Sequence, residues 1–103
     1  MTHWFRAYWD EEDIWFYFEV DTEGWVTRQI ELRGLDNMPI AAASLAEWQE
    51  AQSAGRLRQY EAIYGLTTES PIHDWDGYDP QSLTLSDFES VWHRARRHLE
   101  AAR

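Results

Sequence analysis

The strongest invitation to chemistry in the chain is the run HDWDGYD, residues 73–79, where three aspartates and a histidine fall close together. Carboxylates at alternate positions can wrap a calcium ion, provided that a glycine makes the sharp turn at the sixth place and a glutamate closes the loop at the twelfth. With Asp74 first and Asp76 third, the fifth place is Tyr78, the sixth Asp79 and the twelfth Leu85. The pattern fails, and Asp and Gly are ordinary turn formers. Acid–base catalysis most often needs a histidine. His3 opens a strand-like run, His73 lies in a loop, and His93 and His98 fall on the terminal helical run, so the four do not converge. Ser44 and Ser86 head helix-capping patterns, and no glycine-rich phosphate loop can be made from the five glycines. Paired carboxylates are plentiful, as chance supplies them in so acidic a chain. No catalytic residue, metal site or cofactor is expected.

Composition narrows the partners. Nine basic against nineteen acidic residues give a net charge of −10, which opposes the phosphate backbone that dominates nucleic-acid affinity. The acids are uneven: Asp10, Glu11, Glu12, Asp13, Glu19, Asp21 and Glu23 follow one another with no base between them, while Arg94, Arg96, Arg97 and Arg103 crowd the end. Such an acidic region serves solubility, or it presents a patch to a basic protein. Without cysteine there is no disulfide framework and no thiolate site. No basic run followed by an apolar one opens the chain, and no stretch approaches the roughly 18 apolar residues of a membrane span. A cytoplasmic location, away from membranes, is the expectation.

The elements that must position any site are strands first and helices second. At 103 residues the chain has room for one domain. HWFRAYW and IWFYFEV, residues 3–9 and 14–20, are rich in aromatic and β-branched side chains and are separated by the polar turn DEED. Pairing Trp9 with Ile14 sets Ala7 against Phe16 and Phe5 against Phe18, which makes Phe5, Ala7, Trp9, Ile14, Phe16, Phe18 and Val20 one face. A third strand, about residues 25–33, follows DTEG. A three-residue loop with Gly24 left-handed puts Asp21 opposite Trp25 and adds Val26, Ile30 and Leu32 to that face. A two-residue loop would instead pair Glu19 with Arg28. A fourth short strand over about 38–42 would carry Pro39 at a sheet edge.

From Ser44 the texture turns helical. SLAE, Ser44 to Glu47, reads as a capping box, and a helix over about 44–64 is expected to break near Ala54 and Gly55 and to stop at Gly65. A second box, Ser86 to Glu89, opens a helix to about 102 with Phe88, Val91, Trp92, Ala95 and Leu99 on one stripe. Loops as long as the one over residues 66–85 are uncommon. The expected fold is α+β: an antiparallel three- to four-stranded meander sheet with two helices packed on one face.

WFRAYW, FYFEVDTEGWVTRQIEL, PIAAAS and the closing FESVW occur in an order that resembles a family of small uncharacterised bacterial domains, common in actinobacteria. Glu19, Val20, Asp21, Gly24 and Arg28 carry the most specific part of the likeness. The resemblance implies no established activity and no catalytic residue. By analogy of size and charge, an immunity-protein role against a toxin is an expectation.

Fixing one face of the sheet as core leaves Trp4, Arg6, Tyr8, Trp15, Tyr17, Gln29 and Glu31 on the other. That composition, rich in Trp, Tyr and Arg, is typical of interface hot spots. Arg28, near the core, needs an acid, with Glu19 and Glu89 the candidates. The expected function is a non-enzymatic protein-interaction module, meeting a protein partner or a second copy through the open sheet face. The alternative is a small-ligand binder or an enzyme, with a pocket between the 66–85 loop and the sheet where Arg6 or Arg28 would hold an anion.

Overall fold

Aromatic and β-branched runs pair in sequence order, and two of the three described helices begin where a hydroxyl caps them. The structure, a computed structural model, describes residues 1–69 and 79–102. Residues 70–78, with most of the run set against the calcium pattern and much of the loop expected to wall a ligand pocket, lie outside the described residues. The elements are β1 (His3–Trp9), β2 (Ile14–Val20), β3 (Val26–Arg33), β4 (Pro39–Ser44), α1 (Leu45–Ser53), α2 (Leu57–Tyr64), β5 (Gln81–Leu83) and α3 (Leu85–Ala101). The strands form one antiparallel sheet in the order β4-β3-β2-β1-β5. The α+β class and the antiparallel meander are as expected. The described residues, however, hold five strands and three helices rather than three to four and two. The added strand, β5, is too short to show any alternation, and forms because β1 offers it a free edge, pairing Trp4 with Leu83 and Arg6 with Gln81.

The first hairpin has the expected register, Trp9 opposite Ile14 and Phe5 opposite Phe18. The second combines the two registers that the sequence left open. At the turn, Gly24 is left-handed (φ 89°), the Asp21 amide donates to the Trp25 carbonyl, and Val20 faces Val26. One rung later the register shifts, and Glu19 pairs with Arg28. Thr27 is the inserted residue of this β-bulge. Its hydroxyl donates to the Glu19 carbonyl oxygen at 3.2 Å and to the Glu19 carboxylate at 2.8 Å.

Because side chains alternate with a period of two, a shift of one residue moves everything beyond it to the opposite face. Ile30 and Leu32 therefore join Tyr17, not Phe16 and Phe18, and α3 packs there with Phe88, Trp92 and Ala95. The face expected to be open is the one that α3 covers, and the two helices expected together on the Phe5, Phe16 and Phe18 face do not share it. That second face has its own cluster of Phe18, Val20 and Val26, with Phe5 and Phe16 packed against it. Core thus lies on both sides of the sheet.

Ser44 caps α1 by accepting from the Glu47 amide, as its sequence implies. The Glu47 carboxylate is engaged elsewhere, by Tyr60 and by Arg96 of α3. The expected long helix breaks after α1 and resumes as α2, with Gly55 left-handed at the break. Gly65 (φ 82°) ends α2, and a Cβ there would stand 2.9 Å from that of Ala41, so the chain can cross close over β4 only without one. The cap of α3 is a correction. Thr84 and Asp87 form the capping box, not Ser86 and Glu89. Starting two residues earlier frees the Glu89 carboxylate for a tertiary role.

Candidate interaction surface

Cross-strand pairing places Trp4 beside Glu19, Arg6 beside Tyr17 and Tyr8 beside Trp15, all on the face that carries α3. The helix packs chiefly over β4. Tyr17, at 8% exposure, belongs to the core beneath it. Toward β1 the cover thins. Arg6 and Trp15 are half-buried and Tyr8 is 37% exposed.

These three residues form a preorganised ladder. The Arg6 guanidinium sits 4.7 Å from the Trp15 ring centroid and donates to the Tyr17 hydroxyl at 3.2 Å and to the Gln81 side-chain oxygen at 2.7 Å. The Tyr8 and Trp15 rings are tilted, 5.1 Å apart. Tyr8 donates its hydroxyl to the Asp13 carboxylate at the end of the acidic turn, and that bond holds the phenol above its usual pKa. Rigid aromatics carry large contact area at low entropy cost, while a stacked arginine adds directional donors.

Gln29 and Glu31, expected on this surface, are not brought to it. The bulge at Thr27 turns them to the second face, where Gln29 pairs with Phe18 and Glu31 with Phe16. Gln29 accepts from the amide and the hydroxyl of Thr68, at 2.8 and 3.0 Å, and so ties the segment after α2 to the sheet. Glu31 is left with Gln29 at 3.3 Å as its partner among the described residues, and burial raises its pKa. A carboxyl group whose folded pKa is raised stabilises the fold in its protonated form, below its ordinary value, and that contribution is lost as pH rises through the raised one. Glu31→Gln is therefore expected to raise the melting temperature near neutral pH, with the gain disappearing toward about pH 4, where the native side chain is itself neutral. Thermal melts of both proteins across that range check the sign.

Arg28 lies at the covered centre of the α3 face. Its Nε and Nη2 donate to the two Glu19 oxygens at 3.1 and 2.6 Å, and Nη2 also reaches Glu89 of α3 at 2.5 Å. Trp4 and Thr27 donate to the same Glu19 carboxylate, at 2.9 and 2.8 Å. Burial alone would raise the pKa of Glu19, but the Arg28 guanidinium and the other donors outweigh it and hold the group low. Hydrogen bonding to Arg28 likewise lowers Glu89, and the two carboxylates raise Arg28 against the effect of its own burial. An anion arriving here would meet two carboxylates against one guanidinium.

Sequence reasoning missed a second arginine hub. Arg96 donates to the Ala42 carbonyl at 2.8 Å, pairs with Glu47, and lies over the rings of Tyr64 and Trp92 at 3.9 and 4.3 Å. An arginine one turn after Trp92, at the margin of the apolar stripe, was the available signal. Also unforeseen was a groove of about 440 Å³ between the β2–β3 turn, α1 and residues 66–69, with Trp25 and Trp48 in its lining. Set against known proteins, the chain matches no family model, no curated protein and no solved structure. Among the described residues no helix is long and apolar enough to cross a membrane.

Proposed function

We propose that the protein is a non-enzymatic interaction module that docks a protein partner with a basic surface through Arg6, Tyr8 and Trp15, its approach steered by the acidic turn of residues 10–13. The observation that carries this reading is the accessible Arg6–Trp15–Tyr8 ladder ending on Asp13. Interface hot spots are enriched in these three residue types. A partner of opposite charge is favoured over a second copy because two chains of net charge −10 repel one another. Tyr17, buried in the core, is no part of the contact.

The test is a double variant, Tyr8→Ser with Arg6→Lys, which removes the exposed ring and the planar fork but keeps the positive charge. Its melting temperature is expected to stay near that of the parent. Recovery of the partner from a lysate of the native host is expected to fall by about tenfold or more. Undiminished recovery overturns the reading. So does a chain that light scattering shows to be a dimer held by these same residues, since the partner would then be a second copy.

A further inference from the structure

The groove beside Trp25 has a lining that specifies the chemistry of what enters it. Leu45 and Trp48 of α1, Trp25 of the β2–β3 turn and Leu66 give it apolar walls, and Asp21 and Glu69 add two carboxylates to its lining. Trp25 and Leu66 are substantially exposed, at 37% and 46%. None of the described residues that line it is basic. Its two walls are held by bonds outside the groove. The Trp48 indole is fixed by donating to Glu61 of α2 at 2.8 Å, and Thr68 is tied to Gln29 of the sheet. Asp21 uses one carboxylate oxygen, Oδ1, to accept from the amides of Glu23 and Trp25 at 2.9 and 3.0 Å, which orients the turn. Its other oxygen, Oδ2, makes no bond among the described residues.

We infer that this groove receives an arginine side chain presented by a basic polypeptide, with the stem along Leu45 and Leu66, the guanidinium against the tryptophan rings and a charge-assisted bond to Asp21. The charge and the shape argue together. A site with tryptophan faces and carboxylates, in a strongly acidic chain, favours a cation over a neutral or anionic group. Apolar walls suit the methylene stem of a long basic side chain, which buries its stem while keeping its head polar. Arginine fits better than lysine because its planar head can lie on an indole and donate sideways to a carboxylate at once. The inference rests on the reading of the protein as a binder of basic proteins, but it concerns residues separate from Arg6, Tyr8 and Trp15.

The probes are a blocked pentapeptide with one central arginine and its lysine and citrulline counterparts, titrated against the full chain while the indole N–H resonances are followed by NMR. The arginine peptide is expected to give a saturable shift at Trp25 and Trp48. Citrulline, of the same shape without the charge, should bind at least fivefold more weakly, as should the arginine peptide with Trp25→Ser, read at Trp48. The exposed position of Trp25 makes that variant compatible with folding, which its unchanged amide spectrum elsewhere would verify. Equal binding of the citrulline peptide overturns the inference. Tighter binding of the lysine peptide, undiminished affinity in Trp25→Ser, or shifts confined to the acidic turn at residues 10–13 do so as well. Failure here, with partner recovery still lost in the Tyr8 and Arg6 variant, would remove the groove and leave the docking surface standing. The converse result would remove the surface instead.

Discussion

Replacing Arg28 by alanine is expected to destabilise the protein by about 3–5 kcal/mol, the range found when one member of a buried ion pair is removed. The side chains of Arg28 and Glu19 are only 18% and 15% exposed, so Glu19 would be left charged and largely out of water. Trp4 and Thr27 would still donate to it, but neither supplies a countercharge. A domain of this size has roughly 5–15 kcal/mol in all, so a measurable unfolded population is expected, read by urea titration. Replacing both partners discriminates the mechanism. Arg28→Met combined with Glu19→Gln removes the unpaired charge, keeps an amide oxygen to accept from Trp4 while its NH2 can donate to the Thr27 hydroxyl, and is expected to recover much of the loss. A double variant no more stable than Arg28→Ala would show that the arginine acts by packing on Phe88 and Trp92, over which it lies at 4.9 and 5.1 Å, and not by its charge.

The same cluster has a pH signature. The folded pKa values of Glu19 and Glu89 are lowered. Their contribution is therefore present above the ordinary carboxylate value and lost as pH falls through the lowered ones. Glu31 works in the opposite direction. The acid limb of the stability profile should accordingly flatten in Arg28→Met with Glu19→Gln, and its neutral plateau should rise in Glu31→Gln.

Trp92→Ala is the second large effect, expected at about 3–5 kcal/mol for the loss of a large buried aromatic. Trp92 is 8% exposed and stacks on Phe88 at 6.4 Å between ring centroids. Both arginine hubs also lie over its ring, Arg28 at 5.1 Å and Arg96 at 4.3 Å. Its loss therefore removes a large part of the packing of α3 on Tyr17 and Ile30 and loosens both arginine hubs together. Trp92→Phe should recover much of the packing and less of the cation–π contacts, which are strongest on indole. An unchanged melting temperature for Trp92→Ala would place the side chain outside the core and undo the packing of α3 described above.

Local chemistry made much of this molecule legible before any coordinates. The register of the first hairpin follows from the aromatic pairs around DEED. The cap at Ser44, the break at Ala54 and Gly55, and the stop at Gly65 follow from a hydroxyl and two left-handed glycines. The stripe of α3 follows from its helical period, and the need of Arg28 for Glu19 and Glu89 follows from the cost of a buried charge.

Which side of the sheet α3 would cover was not legible, because β2 is apolar on both faces and alternation between Trp15, Tyr17 and Phe16, Phe18 carries no sign. One inserted residue decided it. The Thr27 hydroxyl can reach the Glu19 carbonyl only in the folded hairpin, and the resulting bulge carries Ile30 and Leu32 to the Tyr17 face while turning Gln29 and Glu31 away from it. The choice of Thr84 over Ser86 as the cap of α3 was tertiary for a similar reason. Both hydroxyls suit a cap, but only the earlier start leaves Glu89 free to reach Arg28, sixty-one positions away in the chain.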